Sequence, residues 1–248
     1  SFILYNRRGA GTPRYRSERV LCVFDEKKRL QLLRAYNALP DLERAVCRFL
    51  SVIYTPVALT NLTHCLNASP IETPTGRQWN AQRDVLPLLE RWRSAGLVDV
   101  VRERKTGYWY LDRLLAEPLT REALALGAYK AFDRAVERVM GFAREEAHYS
   151  YSFSLSRLYR SVRSALYAGS SENFIALLGR RYGSMADCYP EDHPCDPFGD
   201  IAANPLDTDF LMQLAPEFAE HIFFALLHNT MQDAATYRRV ADAFFAYC

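Results

Sequence analysis

Arg77, Gln78, Gln82 and Arg83 crowd into one short stretch of this chain. Arginine forks and glutamine amides offer the paired donors that read base edges in a major groove, or single donors to phosphate oxygens. Further along, Arg102, Arg104 and Lys105 place three cations around the turn sequence Arg104-Lys105-Thr106-Gly107, and Arg7 and Arg8 add two more near the N-terminus. Each cation that settles on a phosphate releases counterions, so binding by such a set weakens steeply with salt. The plainer reading is that charges on exposed turns are simply solvated, and Asp84 and Glu90 dilute the first group.

Other chemistries find less to work with. Cys188, His193 and Cys195 form Cys-x4-His-x-Cys, which lacks the paired spacings and the fourth ligand that zinc takes, so no metal site is expected. His64, His148, His193, His221 and His228 are scattered, with no nucleophile elbow or zincin pattern beside them. No glycine-rich phosphate loop precedes a helix. The expectation is a non-catalytic segment with no cofactor and no evident small-molecule substrate. Tyr159, Arg160, Arg163 and Tyr167 interleave aromatics with arginines, a pattern that stacks on single-stranded bases but more often packs helices together.

Charge divides the chain. Residues 1–113 hold 19 Lys/Arg against 11 Asp/Glu, whereas residues 114–248 hold 12 against 18. Phosphate contacts therefore belong to the first part, and a protein partner suits the second. No apolar run approaches the ~20 residues that span a bilayer, and no signal peptide is evident, so membrane insertion is not expected and a cytoplasmic location is. Six cysteines at irregular spacing read as reduced thiols.

The elements that must position the cations follow from periodicity and punctuation. Residues 1–28 read as an arm or edge strand. A helix with Leu30, Leu33 and Leu39 inward stops before Pro40, and a second opens with Asp41 as its cap and carries Val46, Phe49, Leu50 and Ile53 on one stripe. Thr55-Pro56 is expected to start a third, carrying Leu59, Leu62 and Leu66. After a loop around Pro70 and Pro74, Asn80 caps a helix running to Ala95, which Pro87 must bend or displace and Gly96 stops. Val98, Val100 and Tyr108-Trp109-Tyr110 form a hairpin whose turn ends at Gly107. This order predicts a winged helix-turn-helix over residues 29–117. Residues 118–248 are expected to be all-α and repeat-like, with helices at 120–147, 152–168, 171–182, 207–213, 215–230 and 233–248 around a proline-rich loop at 184–206. The fold class is therefore mainly α with a small β-hairpin wing. Because the chain starts at Ser1 and stops within a helix that carries Phe244, Phe245 and Tyr247, it reads as a piece of a longer polypeptide, with those aromatics as a truncated interface.

Leu39-Pro40-Asp41-Leu42-Glu43-Arg44-Ala45-Val46, Tyr54-Thr55-Pro56-Val57 and Leu88-Leu89-Glu90-Arg91-Trp92-Arg93-Ser94-Ala95-Gly96-Leu97 together resemble the N-terminal region of large bacterial helicase-like proteins of the Swi2/Snf2 type. The resemblance implies an accessory winged helix and a helical repeat-like stretch preceding an ATPase motor. The Walker-type residues of that motor are absent, so no ATPase activity carries over. Its implied partners are duplex DNA and the remainder of the parent polypeptide or another protein.

Overall fold

The computed structural model describes residues 26–103, 105–141, 155–169, 201–202, 205–231 and 233–248, the side chains of 103, 155–159, 217 and 229 excepted. The described part is mainly helical with one small three-stranded antiparallel sheet. The arm with Arg7 and Arg8, the turn residue Arg104, the expected helix at 171–182 and the Cys188–Cys195 segment lie outside the described residues.

Helix α1 spans Glu26–Asn37 and buries Leu32 and Tyr36, whereas Leu30 is 46% exposed. The buried stripe is thus rotated from the expected one, because Tyr36 must reach Glu122 and Arg48. Helix α2, Asp41–Ile53, begins one residue earlier than expected. Pro40 is its N-cap, and Asp41 pairs inside the first turn with Arg44 instead of capping. Strand β1, Val57–Ala58, then interrupts the chain, and helix α3 runs Leu59–Ala68. Thr55 and Pro56 therefore do not open a helix, since Val57 pairs with Trp109 in the sheet before the helix begins.

Asn80 does cap the next helix. Its side chain accepts from Gln82 N (3.1 Å) and Arg83 N (2.9 Å). The first turn, Ala81–Val85, is a π-turn, followed by helix α4 over Leu86–Ser94. Pro87 has no N–H to offer an α-helical ladder, and the irregular turn lies immediately ahead of it. Gly96, at φ +75°, ends the helix.

Strands β2, Val98–Glu103, and β3, Thr106–Leu111, pair in register from Val98↔Leu111 to Glu103↔Thr106, giving sheet order β1-β3-β2. Gly107 sits inside β3 opposite Arg102, not at the end of the turn. The fit there is close, because a Cβ would lie 3.2 Å from Val100 Cγ2 and the valine would have to give way by a few tenths of an ångström. Val98, Trp109 and Leu111 face the core with Leu89 and Trp92 of α4.

Helix α5, Arg113–Ala125, accommodates Pro118, and helix α6 follows at Tyr129–Met140. The single helix expected at 120–147 is split by Gly127 and ended by Gly141, both left-handed. Helix α7 covers Leu155–Ala168, and α8 (Thr208–Met212), α9 (Pro216–Thr230) and α10 (Ala234–Tyr247) complete the described chain. α5 packs on α2, and α6 on α3, so the sheet-bearing part and the helices beyond it share one core.

Buried arginines lock that junction. Arg163 of α7 donates to Glu117 Oε1 (2.7 Å), the Ser51 carbonyl (3.0 Å) and Thr120 Oγ1 (2.6 Å). Its guanidinium lies 4.1 Å from the ring centre of Tyr54, a residue at φ +64°. Tyr167 donates to the other Glu117 oxygen at 2.6 Å. Arg160 reaches Asp133 and Glu137. Arg160, Arg163 and Tyr167 therefore pack between helices and offer no surface to a nucleobase, while the Tyr159 side chain lies outside the described residues.

Candidate nucleic-acid interface

The loop between α3 and α4 is built, not slack. Asn67 Oδ1 accepts from Trp79 N (2.7 Å), Asn67 Nδ2 donates to Trp79 O (3.1 Å), and the buried Trp79 indole donates to the Ile71 carbonyl (2.7 Å). Thr73 Oγ1 donates to the Arg77 carbonyl at 2.7 Å. These bonds hold the backbone on both sides of Arg77 and Gln78, whose side chains are exposed. Neither Asn67, Thr73 nor Trp79 stands out in the sequence, because nothing in their spacing announces the pairing.

Gln82 and Arg83 follow at the first turn, also exposed. Arg83 is engaged: Nε donates to Asp84 Oδ1 (2.8 Å) and Nη2 to Asp84 Oδ2 (2.9 Å). Asp84 Oδ2 also accepts from Asn80 N at 2.8 Å. The Arg83 guanidinium, aided by the Asn80 N–H, holds the Asp84 carboxyl below the usual carboxylate range. Asp84 is thus the partner of Arg83 and not merely a diluting charge, a relation that the adjacency of the two residues in sequence leaves invisible.

Helix α4 is fastened from behind. Glu43 of α2 accepts from Arg91 Nη2 (2.6 Å) and from the Trp92 indole (2.8 Å). Arg93 lies 3.9 Å from Asp99. Of the cations between Asp41 and Leu111, Arg77, Arg102 and Lys105 have no ion-pair partner among the described residues. Arg102 and Lys105 are exposed at the far end of the hairpin. Gly107 opposite Arg102 leaves it no cross-strand side chain to pair with. Arg77 and Gln78 thus lie in the loop ahead of the helix, Gln82 and Arg83 on its first turn, and Arg102 and Lys105 on the hairpin, with the helix and hairpin rooted in the core of Leu89, Trp92, Val98 and Trp109.

An open cleft of about 700 Å³ lies between α1 and the base of the hairpin. Its lining is charged but internally satisfied, with Lys28 bonded to Asp112 at 2.8 Å and Arg93 beside Asp99. No group of three or more His, Cys, Asp or Glu arranged to hold a metal ion occurs among the described residues. No helix among the described residues is long and apolar enough to cross a membrane.

On the far helices, Phe224 is 59% and Phe245 76% exposed, with Phe244 bridging them at ring-centre distances of 6.3 and 5.9 Å. Of the C-terminal aromatics expected to be uncovered, only Phe245 is so. Phe244 and Tyr247 pack on Phe223, each at 5.5 Å, and the Tyr247 hydroxyl donates to the Leu214 carbonyl.

No protein-family model, no curated protein and no solved structure matches this chain.

Proposed function

We propose that the unit from Asp41 to Leu111 is a winged helix that binds duplex DNA weakly, within a non-catalytic accessory segment of a larger protein. Support comes first from topology. The order helix, strand, helix, helix, strand, strand with sheet order β1-β3-β2 suits a helix-turn-helix with a hairpin wing. In that reading α4 with its π-turn is the groove-facing helix and β2–β3 is the wing. The observation that carries the DNA claim is the placement of exposed cations without ion-pair partners among the described residues, Arg77 beside the helix start and Arg102 and Lys105 on the wing. Arg104 belongs to the same turn by sequence. The resemblance to the accessory region of Swi2/Snf2-type helicase-like proteins points the same way and suggests a motor elsewhere in the parent protein.

The helices from α5 onward are proposed to dock a protein partner. The exposed Phe224 and Phe245 favour this, because neighbouring exposed aromatics on one helical hairpin mark contact surfaces. Fluorescence anisotropy of a labelled mixed-sequence duplex at low salt tests the DNA claim. Arg77→Ala and the Arg102→Ala/Lys105→Ala pair should each weaken binding several-fold, and Phe224→Ala/Phe245→Ala should leave it unchanged. An affinity indifferent to the first two, or absent altogether, would reduce the winged helix to an interaction module.

A further inference from the structure

The sequence makes Arg83 one of several exposed cations, but the structure gives it a distinct arrangement. A guanidinium carries five N–H donors. Asp84 occupies the Nε–H and one Nη2–H, with N–O distances of 2.8 and 2.9 Å. Both hydrogens of Nη1 and the second of Nη2 have no partner among the described residues, and they include a parallel pair directed away from the carboxylate. The anchor is covered and the fork is not: the Asp84 side chain is 22% exposed, that of Arg83 60%. Asp84 is itself fixed, because its Oδ2 also takes the backbone N–H of Asn80, whose side chain closes the helix start. Neighbouring residues do not face each other on an α-helix, and this pair forms inside the π-turn Ala81–Val85, a geometry frequent at functional sites.

We infer that Arg83 is a pre-oriented fork for a pair of acceptors on duplex DNA, with Asp84 as its positioning residue. The inference rests on the winged-helix reading above. Two acceptor pairs share the required geometry: O6 and N7 of guanine in the major groove, and two oxygens of a backbone phosphate. Holding the fork in place removes the ordering cost that a free arginine side chain would meet on binding.

Charge alone and positioning predict opposite signs for one substitution. Asp84→Asn removes a negative charge from the surface that meets DNA, so simple electrostatics makes binding tighter. Asparagine puts a donor NH2 where one carboxylate oxygen stood, so it cannot accept from Nε, Nη2 and the Asn80 N–H together as Asp84 does, and positioning makes binding weaker. The experiment is anisotropy titration of a guanine-containing duplex at fixed low salt with the full chain, Arg83→Lys and Asp84→Asn, each checked for unchanged melting by circular dichroism. Arg83→Lys, which keeps the charge and loses the fork, should weaken binding about tenfold. Asp84→Asn should weaken it about threefold despite the added net positive charge. Tighter or unchanged binding by Asp84→Asn, or an unchanged affinity for Arg83→Lys, would overturn the inference.

A duplex carrying 7-deazaguanine, which lacks the N7 acceptor, separates the two sources. A loss seen with the unsubstituted chain but not with Arg83→Lys assigns the fork to guanine. No loss, together with a salt slope about one unit shallower for Arg83→Ala, assigns it to phosphate. Binding that needs Arg102 and Lys105 but ignores Arg83 and Asp84 sinks this inference and leaves the winged-helix reading standing. Absence of any duplex binding sinks both.

Discussion

Arg163 shows how one buried side chain joins parts of the chain that the sequence keeps apart. It meets Glu117 of α5, the Ser51 carbonyl of α2 and the ring of Tyr54, all out of water. Removing it strands a buried carboxylate. Arg163→Met is expected to cost about 3–5 kcal/mol of unfolding free energy, read from urea denaturation. The companion change Arg163→Met/Glu117→Leu should recover much of that loss, whereas equal loss in single and double variants would show that the pair is not coupled. The thiols make a second residue-scale case. Burial pushes Cys65 from an ordinary 9.0 up to about 12, and Cys47 is raised further for the same reason. The folded thiols keep their protons where the unfolded chain gives them up, so stability should fall as pH rises from about 9 toward 12. Native-state alkylation at pH 8 should mark the exposed Cys248 and spare Cys47 and Cys65, as peptide mass spectrometry would reveal. Little of this was legible in sequence. Cysteines on apolar stripes announce burial, but the partners of Arg163 lie 43 to 112 positions away in the chain and leave no local signal.

At the scale of elements, the helices and the hairpin could be read from the chain because each depends on local punctuation. Asn80 caps, Gly96 stops, and Val98 and Val100 alternate with the solvent-facing Asp99. The misplaced boundaries have one physical origin, which is that tertiary pairing overrode local preference. Val57 joined Trp109 instead of a helix, and Gly107 was drawn into the strand opposite Arg102 instead of closing the turn. The loop from Ser69 to Asn80 carries the clearest element-scale prediction. Asn67→Ala deprives Trp79 of both backbone partners and should cost about 1–3 kcal/mol of stability. It should also weaken duplex binding although Arg77 and Arg83 are untouched, because the loop and helix start they sit on would loosen. A stability loss with duplex affinity preserved would mean that the loop has no part in holding the interface.

Taken whole, the chain places its cation-bearing loop and hairpin in the basic first part and its exposed aromatics in the acidic second part, with one hydrophobic core running between. Arg121 carries that core onward to the last helices, donating to the carbonyls of Pro205 and Ile201 and lying 4.6 Å from the Phe210 ring centre. Thermal unfolding should therefore be a single transition. Tryptophan fluorescence, which reports Trp79, Trp92 and Trp109, should coincide with far-ultraviolet circular dichroism, which reports all the helices; separated midpoints would divide the chain into independent units. Contact of the basic hairpin and helix start with DNA phosphates is read from the salt dependence of duplex binding. The logarithm of affinity against the logarithm of salt should fall linearly, and Arg102→Ala/Lys105→Ala should make the slope shallower by about two units. A slope unchanged by that pair, or no binding at low salt, would contradict the account.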